Sequence, residues 1–204
     1  MMERQHNMTA ASPWVQRWCH LVATGGTVLD LACGSGRHVR WFEHLGHPVV
    51  AVDRAQDALD SFSDLAHQRS VRRVLADLEN APWPLLEGEQ PHQFAAVVVT
   101  NYLWRPLLPI IVQSLAPGGV LLYETFAVGN ASVGKPARPD FLLVPGELLQ
   151  ACSGLRIVAY EDGFCTDPDR FVQRIAAVRS STDTPAAPTT SDANPVPPVR
   201  YPLG

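Results

Sequence analysis

One stretch decides the fold: Val28-Leu29-Asp30-Leu31-Ala32-Cys33-Gly34-Ser35-Gly36-Arg37-His38. A short apolar run ends there in a loop of small residues, and a pattern with helical spacing begins after Gly36. This order predicts a buried strand, a glycine turn and the start of a helix. In open α/β sheets such turns stand at the carboxyl ends of strands, where ligands bind. Asp30 is the unusual member, because a strand that only packs would carry Val or Ile in its place.

The composition is that of a single globular domain without a metal site. The chain has 204 residues, of which 46% are hydrophobic and 18% charged, enough for one sizeable core. A net charge of -4 argues against a dedicated nucleic-acid-binding protein, which would carry a basic face. None of the 4 cysteines lies in a CxxC pair, so reduced thiols in the cytoplasm are expected rather than zinc ligands. We expect no membrane span and no signal peptide, because no apolar run approaches about 18 residues.

Strands and helices alternate along the chain after the opening stretch. The predicted strands are residues 27–33, 48–53, 71–76, 94–100 and 120–125, and the helices between them include 55–68 and 106–115. This alternation predicts a parallel sheet with right-handed crossovers. Two further strands at 155–160 and 170–178 are expected, the last with the mixed pattern of an antiparallel strand. We predict one domain over residues 12–179, a flexible N-terminus at 1–11 and a disordered, proline-rich tail at 180–204.

Two segments outside this alternation carry hypotheses of their own. Ser12 and Pro13 are a suitable N-cap and first position for a helix that places Trp14 and Trp18 on one face. That helix either packs on the domain or uses its tryptophans as a lid over a pocket. Residues 126–145 have little periodicity, and a loop of that length in a compact domain is usually functional or disordered.

Polar residues end the predicted strands in a regular order. Asp30 and its glycine loop are followed by Asp53, by Asp77 and by Thr100-Asn101-Tyr102, each at a strand end. All would lie along one edge of the sheet. An acid at the end of the second strand accepts hydrogen bonds from a ribose diol, which fits NAD or any adenosine ligand. Asp53 or Asp77 taken alone could equally cap the turn that follows it.

The glycine loop favours some ligands over others. The dinucleotide fingerprint needs a third glycine at position 39, where this chain has Val39. No GxxxxGK[ST] phosphate loop is present. The negative charge of Asp30 would repel a pyrophosphate and suits a ligand with an ammonium group.

The order of five motifs resembles the class I S-adenosylmethionine-dependent methyltransferases. The motifs are VLDLACGSGRH at 28–38, VVAVD at 49–53, LADLEN at 75–80, VVVTNYLW at 97–104 and LAPGGVLLYETF at 115–126. The resemblance implies an α/β fold, a Rossmann-like three-layer sandwich with a mostly parallel seven-stranded sheet whose last strand is antiparallel. It departs from the family at Ala32, where many members have glycine.

The resemblance also implies S-adenosylmethionine as the cofactor and a role for each strand-end residue. Asp30 would help to hold the ammonium, Asp53 the ribose hydroxyls and Asp77 the exocyclic amine of the adenine. Arg54 would flank the adenine, and Tyr102 would face the methionine part and the sulfonium. The predicted cofactor-binding residues are Asp30, Leu31, Ala32, Cys33, Gly34, Ser35, Gly36, Asp53, Arg54, Asp77, Leu78, Thr100, Asn101 and Tyr102. The side chain of Cys33 is also expected to be a small filler under the loop. Two roles stay open for Arg37-His38, which either form a solvated helix turn or contact the cofactor carboxylate.

The predicted function is methyl transfer to a small molecule by in-line displacement. Candidates on the acceptor side are Tyr102, Arg105, Glu124 and Asn130, with Arg105 as an anchor for an anionic substrate and no assigned general base. The segment from 129 to 149 is similar to small bacterial methyltransferases of the tellurite-resistance type, in which it closes over the acceptor. Three alternatives stay open: a methyltransferase acting on RNA or protein, a nicotinamide-dependent oxidoreductase, and a non-catalytic cofactor-binding protein. The sequence assigns neither the acceptor nor the oligomeric state.

Overall fold

A computed structural model gives the fold and describes residues 10–67, 70–181 and 200–203. The helices are α1 (Pro13–Trp18), α2 (Arg37–His44), α3 (Gln56–Asp60), α4 (Leu108–Gln113) and α5 (Glu147–Ala151). The strands are β1 (Val28–Leu31), β2 (Val49–Asp53), β3 (Val71–Leu75), β4 (Leu86–Glu87), β5 (Gln90–Pro91), β6 (Phe94–Thr100), β7 (Leu115–Phe126), β8 (Arg156–Cys165) and β9 (Arg170–Val178). Short 3-10 turns occupy Cys19–Leu21, Ser63–His67, Arg105–Leu107, Asn130–Ser132 and Pro139–Phe141.

Seven strands form one sheet in the order β3-β2-β1-β6-β7-β9-β8, and β4 and β5 form a separate hairpin. The pairs β3-β2, β2-β1, β1-β6 and β6-β7 are parallel. β9 lies between β7 and β8 and is antiparallel to both. The predicted seven-stranded, mostly parallel sheet with an antiparallel last strand is therefore confirmed.

Helices cover both faces of this sheet. Because side chains alternate along a strand, Val28 faces one buried cluster and Leu29 faces the other. The first cluster includes residues of α1, α2 and α3, and the second includes residues of α4 and α5. We call these sides the α1–α3 face and the α4–α5 face. The three predicted layers are present, and the parallel strands direct their carboxyl ends to a common edge.

The observed elements differ from the predicted ones mainly at their ends. The described part of the helix predicted over 55–68 is the short α3 followed by a 3-10 turn, and it begins without a side-chain cap at Ala55. Residue 68 lies outside the described residues. β7 begins at Leu115 rather than after the turn at 116–119, because a register irregularity between Phe94 and Ala96 absorbs the turn into the strand pair. β8 continues to Cys165 and includes part of the segment expected to be a turn.

The N-terminal helix packs on the domain. Ser12 caps α1 by accepting a hydrogen bond from the backbone N–H of Trp14, at 3.2 Å. Trp14 and Trp18 are buried in the cluster of the α1–α3 face, and the indole of Trp14 donates to the carbonyl of Ile175. The packing hypothesis is confirmed, and the lid hypothesis is wrong because neither ring is free to cover a pocket.

Parts of the predicted termini lie outside the described residues. These parts are 1–9, 182–199 and 204, so the flexible N-terminus and the disordered tail stay predictions there. Residues 200–203 are described, and Tyr201 packs against the cluster of the α1–α3 face. His20 Nε2 lies 3.0 Å from the carbonyl oxygen of Pro202. No helix in the described ranges has the length and apolarity that a membrane crossing requires.

Candidate functional site

A cavity of about 400 Å³ lies at the carboxyl edge of the sheet. It is formed by the segments that follow β1, β2, β3 and β6, by the end of β7 and by the loop after it. The lining residues are Ala32, Asp53, Arg54, Ala76, Asp77, Leu78, Glu79, Asn101, Tyr102, Leu103, Thr125, Phe126, Pro136 and Phe141. Strand-end carboxylates occupy one part of this wall, and apolar side chains from the loop after β7 occupy another.

Asp53 is held in place by backbone donors. Its Oδ2 accepts a hydrogen bond from the N–H of Gly34 at 2.8 Å, and its Oδ1 accepts one from the N–H of Ala55 at 2.9 Å. The first bond ties the end of β2 to the glycine loop after β1. Each carboxylate oxygen has a second lone pair, so both can also accept from a ligand hydroxyl. The capping role and the ligand-facing position therefore coexist in one residue.

Asp77 has a similar arrangement after β3. Its Oδ1 accepts from the N–H groups of Glu79 and Asn80, and its Oδ2 accepts from the side-chain amide of Asn80 at 2.9 Å. The Asn80 side-chain hydrogen bond is the largest cause that lowers the pKa of Asp77. Asp77 is therefore an ionised, oriented acceptor on the cavity wall, and it also caps its own turn.

Unusual backbone conformations bring the loops close to the cavity. Ala32 and Asn101 have positive φ angles of 51° and 55°, which non-glycine residues rarely adopt. Gly36 also has a positive φ, and a Cβ added there would clash with the ring of Phe62. Glycine is therefore required at position 36, where the chain turns from the loop into α2.

Asp30 is buried beneath this loop with an unsatisfied oxygen. Its side chain is 1% exposed, and its Oδ2 has no hydrogen-bond partner among the described residues. Its Oδ1 lies 4.0 Å from Nδ1 of His38. Burial raises the pKa of Asp30 to about 8, with a further increase from the charge of Asp53 and a decrease from that of Arg37. An orphaned buried carboxyl of this kind fits a ligand that brings a cationic hydrogen-bond donor.

His38 stays neutral beside Asp30. Burial, reinforced by the charge of Arg37, lowers the pKa of His38 to about 3. Its Nε2 accepts a hydrogen bond from the backbone N–H of Ser12 at 3.1 Å. The neutral ring therefore fixes the segment before α1 against the start of α2.

The predicted cofactor residues divide into two groups in the structure. Those that line the cavity are Ala32, Asp53, Arg54, Asp77, Leu78, Asn101 and Tyr102. Leu31 and Cys33 place their side chains in the core, which confirms the filler hypothesis for Cys33 and leaves only their backbone for a ligand. Ser35 is exposed, and Thr100 accepts a hydrogen bond from Arg37 Nη2 at 3.3 Å. Because Arg37 is partly buried and makes this bond, it is not part of a fully solvated helix turn.

Tyr102 is the acceptor-side candidate that the structure places on the cavity wall. Its hydroxyl is buried beside the side chain of Glu79. Burial, followed by the charges of Glu79 and Asp77, raises the pKa of Tyr102. Its hydroxyl is therefore a neutral group throughout the physiological pH range.

The prediction that Arg105 anchors an anionic substrate is wrong. Its guanidinium forms a two-pronged ion pair with Glu147, at 2.7 and 3.0 Å, and donates to the carbonyls of Asp140 and Leu142. These partners occupy the donor groups that a substrate would need. Arg105 instead ties the loop after β7 and the start of α5 to the segment before α4.

Glu124 and Asn130 also have structural partners rather than an open acceptor side. Glu124 is buried, forms an ion pair with Arg174 at 2.7 Å and accepts a hydrogen bond from Ser12 Oγ at 2.9 Å. The side chain of Asn130 donates to the carbonyl of Pro136 and accepts from the N–H of Phe171. These two acceptor-side predictions are therefore wrong, because both side chains are used to fix the strands and the loop.

The cavity also includes residues that the sequence analysis did not assign to it. Glu79 belongs to the LADLEN motif, whose acid at 79 was the available signal. Phe126, Pro136 and Phe141 come from the end of β7 and the loop after it, and the guanidinium of Arg138 stacks over Phe141 at 5.1 Å. Aperiodic loops give no local pattern from which such positions follow. In the described ranges no group of three or more His, Cys, Asp or Glu side chains could hold a metal ion.

The fold and the cavity together define a class of protein, namely an α/β domain with a cavity lined by strand-end carboxylates at the sheet edge. Residues 28–119 match the family model described as a methyltransferase domain. Two curated relatives carry methyltransferase names. A malonyl-[acyl-carrier protein] O-methyltransferase of Yersinia pestis is 32% identical over 109 residues, which are 52% of this chain and 39% of that protein. A tRNA U34 carboxymethyltransferase of Klebsiella pneumoniae is 31% identical over 133 residues, which are 61% of this chain and 36% of that protein.

Solved structures show the same fold at low identity. TehB from Haemophilus influenzae has a TM-score of 0.67 and 19% identity, over 86% of this chain and 64% of that chain. An S-adenosylmethionine-dependent methyltransferase from Mesorhizobium loti has a TM-score of 0.61 and 19% identity, over 79% of this chain and 95% of that chain. Residues 28–119 are therefore similar to a methyltransferase domain, as the sequence motifs predict, and the solved structures share the fold. This chain spans less than two-fifths of the length of the curated relatives in these matches.

Proposed function

We propose that this protein binds S-adenosylmethionine in the cavity and transfers its methyl group to a small-molecule acceptor. The observation that carries the proposal is the row of acidic side chains along the carboxyl edge of the sheet. Asp53 and Asp77 line the cavity as oriented acceptors, and Asp30 lies beneath the adjoining loop with an unpaired oxygen. A nucleoside and an amino-acid ammonium are the two ligand parts that such an arrangement fits.

Each residue has a defined role in this proposal. Asp53 accepts from the ribose hydroxyls, Asp77 accepts from the adenine amine, and Asp30 accepts from the ammonium of the methionine part. The bound cofactor supplies an activated methyl group on a sulfonium, so the protein mainly positions the acceptor for in-line displacement. The ring of Tyr102 lies on the cavity wall, where its face can stabilise a cation.

Several observations support a small-molecule acceptor and a cytoplasmic location. The net charge of -4 does not favour binding to a nucleic acid. The acceptor side of the cavity is lined by Phe126, Pro136 and Phe141, which suit an apolar body. The 4 cysteines are unpaired, as expected in a reducing compartment. One curated relative is named as a tRNA carboxymethyltransferase, so RNA is the alternative acceptor against which this proposal is tested.

Calorimetric titration tests the cofactor, and a turnover assay tests the acceptor class. The full chain is titrated with S-adenosylhomocysteine and, separately, with NAD. We expect saturable binding of the first and none of the second. The enzyme is then incubated with S-adenosylmethionine and either a panel of small organic acceptors or total tRNA. Binding of NAD alone would contradict the cofactor proposal, and methylation restricted to tRNA would contradict the small-molecule proposal.

A further inference from the structure

Two arginines near the carboxyl edge of the sheet lack the partners that the other partly buried arginines have. In the described ranges, Arg37 and Arg170 are the partly buried arginines with neither a carboxylate nor a carbonyl partner. The partly buried arginines that do have such partners are Arg40, Arg73, Arg105, Arg174 and Arg179. Guanidinium groups withdrawn from water normally acquire an acceptor, so this pair stands out.

The hydrogen bonding of the pair is incomplete in two ways. The bond that Arg37 makes is to the hydroxyl of Thr100, which is a neutral group. The Nε of Arg170 is buried with no hydrogen-bond partner in the described part of the chain. A buried donor without an acceptor is unfavourable, and more so when it carries charge. A ligand oxygen would satisfy both groups.

The fold brings the two arginines to the same region. Arg37 begins α2, which packs on the α1–α3 face, and its guanidinium meets the end of β6. Arg170 begins β9 and stands two residues before Val172, which pairs with Phe126 of the cavity wall. Along β9, Ala176 faces the α1–α3 cluster, so the alternation places Arg170 on that face too. The charge of Arg170 also contributes to lowering the pKa of Arg37, after burial, which agrees with this placement.

The surrounding acids do not neutralise this pair. Glu124 and Asp30 raise the pKa of Arg37, but Glu124 is already engaged by Arg174 at 2.7 Å. Asp30 is held largely in its neutral form by burial. The positive charge of the pair is therefore only partly neutralised. Arg170 stands two residues before the strand partner of Phe126, and neither arginine is among the residues that line the cavity itself.

We propose that Arg37 and Arg170 form a subsite that binds the carboxylate of the methyl acceptor. This inference rests on the proposed function and narrows its acceptor to organic acids with an apolar body. Guanidinium forks match the geometry of a carboxylate and can bind it with paired hydrogen bonds. The cofactor also has a carboxylate, which Arg37 beside the glycine loop could meet. Arg170 is assigned to the acceptor, because it stands two residues before Val172, which pairs with Phe126 on the acceptor side of the cavity.

The test compares an acid with its uncharged amide. Phenylacetate and phenylacetamide are titrated into the full chain by calorimetry, with and without saturating S-adenosylhomocysteine. Three variants are used: Arg170→Met, Arg170→Lys and, as the matched control, Arg156→Met, which removes an exposed arginine at the start of β8. We expect the unaltered protein and Arg156→Met to bind the acid about tenfold more tightly than the amide, which is the value of one charge-assisted bond. Arg170→Met abolishes this preference and Arg170→Lys retains part of it.

Equal affinity for acid and amide in the unaltered protein, or no binding of either, would overturn the subsite. A preference that survives Arg170→Met would overturn it as well.

Titration with S-adenosylhomocysteine and with 5′-methylthioadenosine, which has no carboxylate, identifies the source of the anion. If Arg170→Met weakened only the first, Arg170 would serve the cofactor, and the acceptor subsite would be refuted. Thermal melting confirms folding, and Arg170→Met should melt no lower than the unaltered protein because it removes an unpaired charge. Failure of the unaltered protein to bind S-adenosylhomocysteine would instead contradict the proposed function. The two failures are distinguishable, because the comparison of acid and amide in the absence of S-adenosylhomocysteine still tests the subsite.

Discussion

The end of the site that we propose binds the nucleoside is formed by Asp53 and Asp77, and we call it the nucleoside end. Every carboxylate oxygen there accepts a hydrogen bond from the protein. At the inner end, formed by Asp30 with its neighbours Arg37 and His38, one carboxyl oxygen accepts none from the described residues. The side chains of Asp53 and Asp77 are oriented by these hydrogen bonds before any ligand arrives. Asp30 is buried and largely neutral.

The two ends of the site are therefore expected to contribute to ligand binding in different ways. Fixed dipoles and charges stabilise a ligand without reorganisation, so the nucleoside end is ready to bind. The inner end becomes complete when a ligand supplies a cation, which makes the charged form of Asp30 favourable. We therefore expect changes at the nucleoside end to act on affinity, and changes at the inner end to act on folding and proton balance too.

The largest expected effect is on stability, and it follows from breaking the buried ion pair between Glu124 and Arg174 near the inner end. Glu124→Gln leaves the guanidinium of Arg174, whose side chain is 15% exposed, without its closest carboxylate. We expect a loss of about 3 kcal/mol in the free energy of unfolding, measured by urea denaturation. Glu89→Gln, at an exposed position beside the hairpin, is the control and should change little. If Glu124→Gln left stability intact and abolished turnover, Glu124 would be an acceptor-side group after all.

The second prediction concerns the nucleoside end. Asp53→Ala should weaken S-adenosylhomocysteine binding by about 2 kcal/mol, or roughly 30-fold, because the ribose hydroxyls lose a charged acceptor. Calorimetric titration measures the change, and Asp53→Asn separates the lost charge from the lost side chain. Unchanged affinity in Asp53→Ala would confine Asp53 to holding the glycine loop.

The third prediction follows from the raised pKa of Asp30. A carboxyl that keeps its proton in the folded state up to about pH 8 stabilises the fold at low pH, and this contribution is lost as the pH rises from about 4 to 8. The lowered pKa of His38 acts in the opposite direction, so its contribution is lost as the pH falls from about 6.5 to 3. Asp30→Asn should remove the first dependence and raise the free energy of unfolding at pH 8 by on the order of 1–2 kcal/mol. Urea denaturation between pH 5 and 8 (about one unit per step) measures it, and an unchanged slope would contradict the buried neutral acid.

The same residue should couple ligand binding to proton release. An ammonium beside Asp30 lowers the pKa of the carboxyl, so binding of S-adenosylhomocysteine at neutral pH should release a proton from it. The binding enthalpy would then depend on the ionisation enthalpy of the buffer. Asp30→Asn should abolish that dependence and reduce affinity about tenfold. A buffer-dependent enthalpy that persists in Asp30→Asn would assign the proton to another group.

The two ends also differ in how far the sequence determines them. Asp53 ends β2, and Asp77 stands two residues after β3. Both are fixed by backbone groups within a few residues or by the neighbouring glycine loop, so the local pattern was enough to place them on the cavity wall. The order of strands followed from the same periodicity. By contrast, Glu124 pairs with Arg174, and Arg105 is bound by Glu147, 42 residues away in sequence. Such partners are chosen by tertiary packing, and a lone acid or arginine in the sequence does not reveal that it is already engaged.

The smallest expected effect concerns Ala32, the position where the resemblance to the family is imperfect. Its φ of 51° lies in the left-handed region, which is unfavourable by roughly 1–2 kcal/mol for a residue with a Cβ. Glycine removes that penalty but adds about 0.5–1 kcal/mol of unfolded-state entropy, so Ala32→Gly should stabilise the fold by about 0.5 kcal/mol. Ala51→Gly, in the buried β2, has no such strain to relieve and should destabilise the fold by about 1 kcal/mol. If urea denaturation showed the same loss for both variants, the Ala32 methyl would be stabilising the loop by contact, and the nucleoside end would be preorganised by packing as well as by its hydrogen bonds.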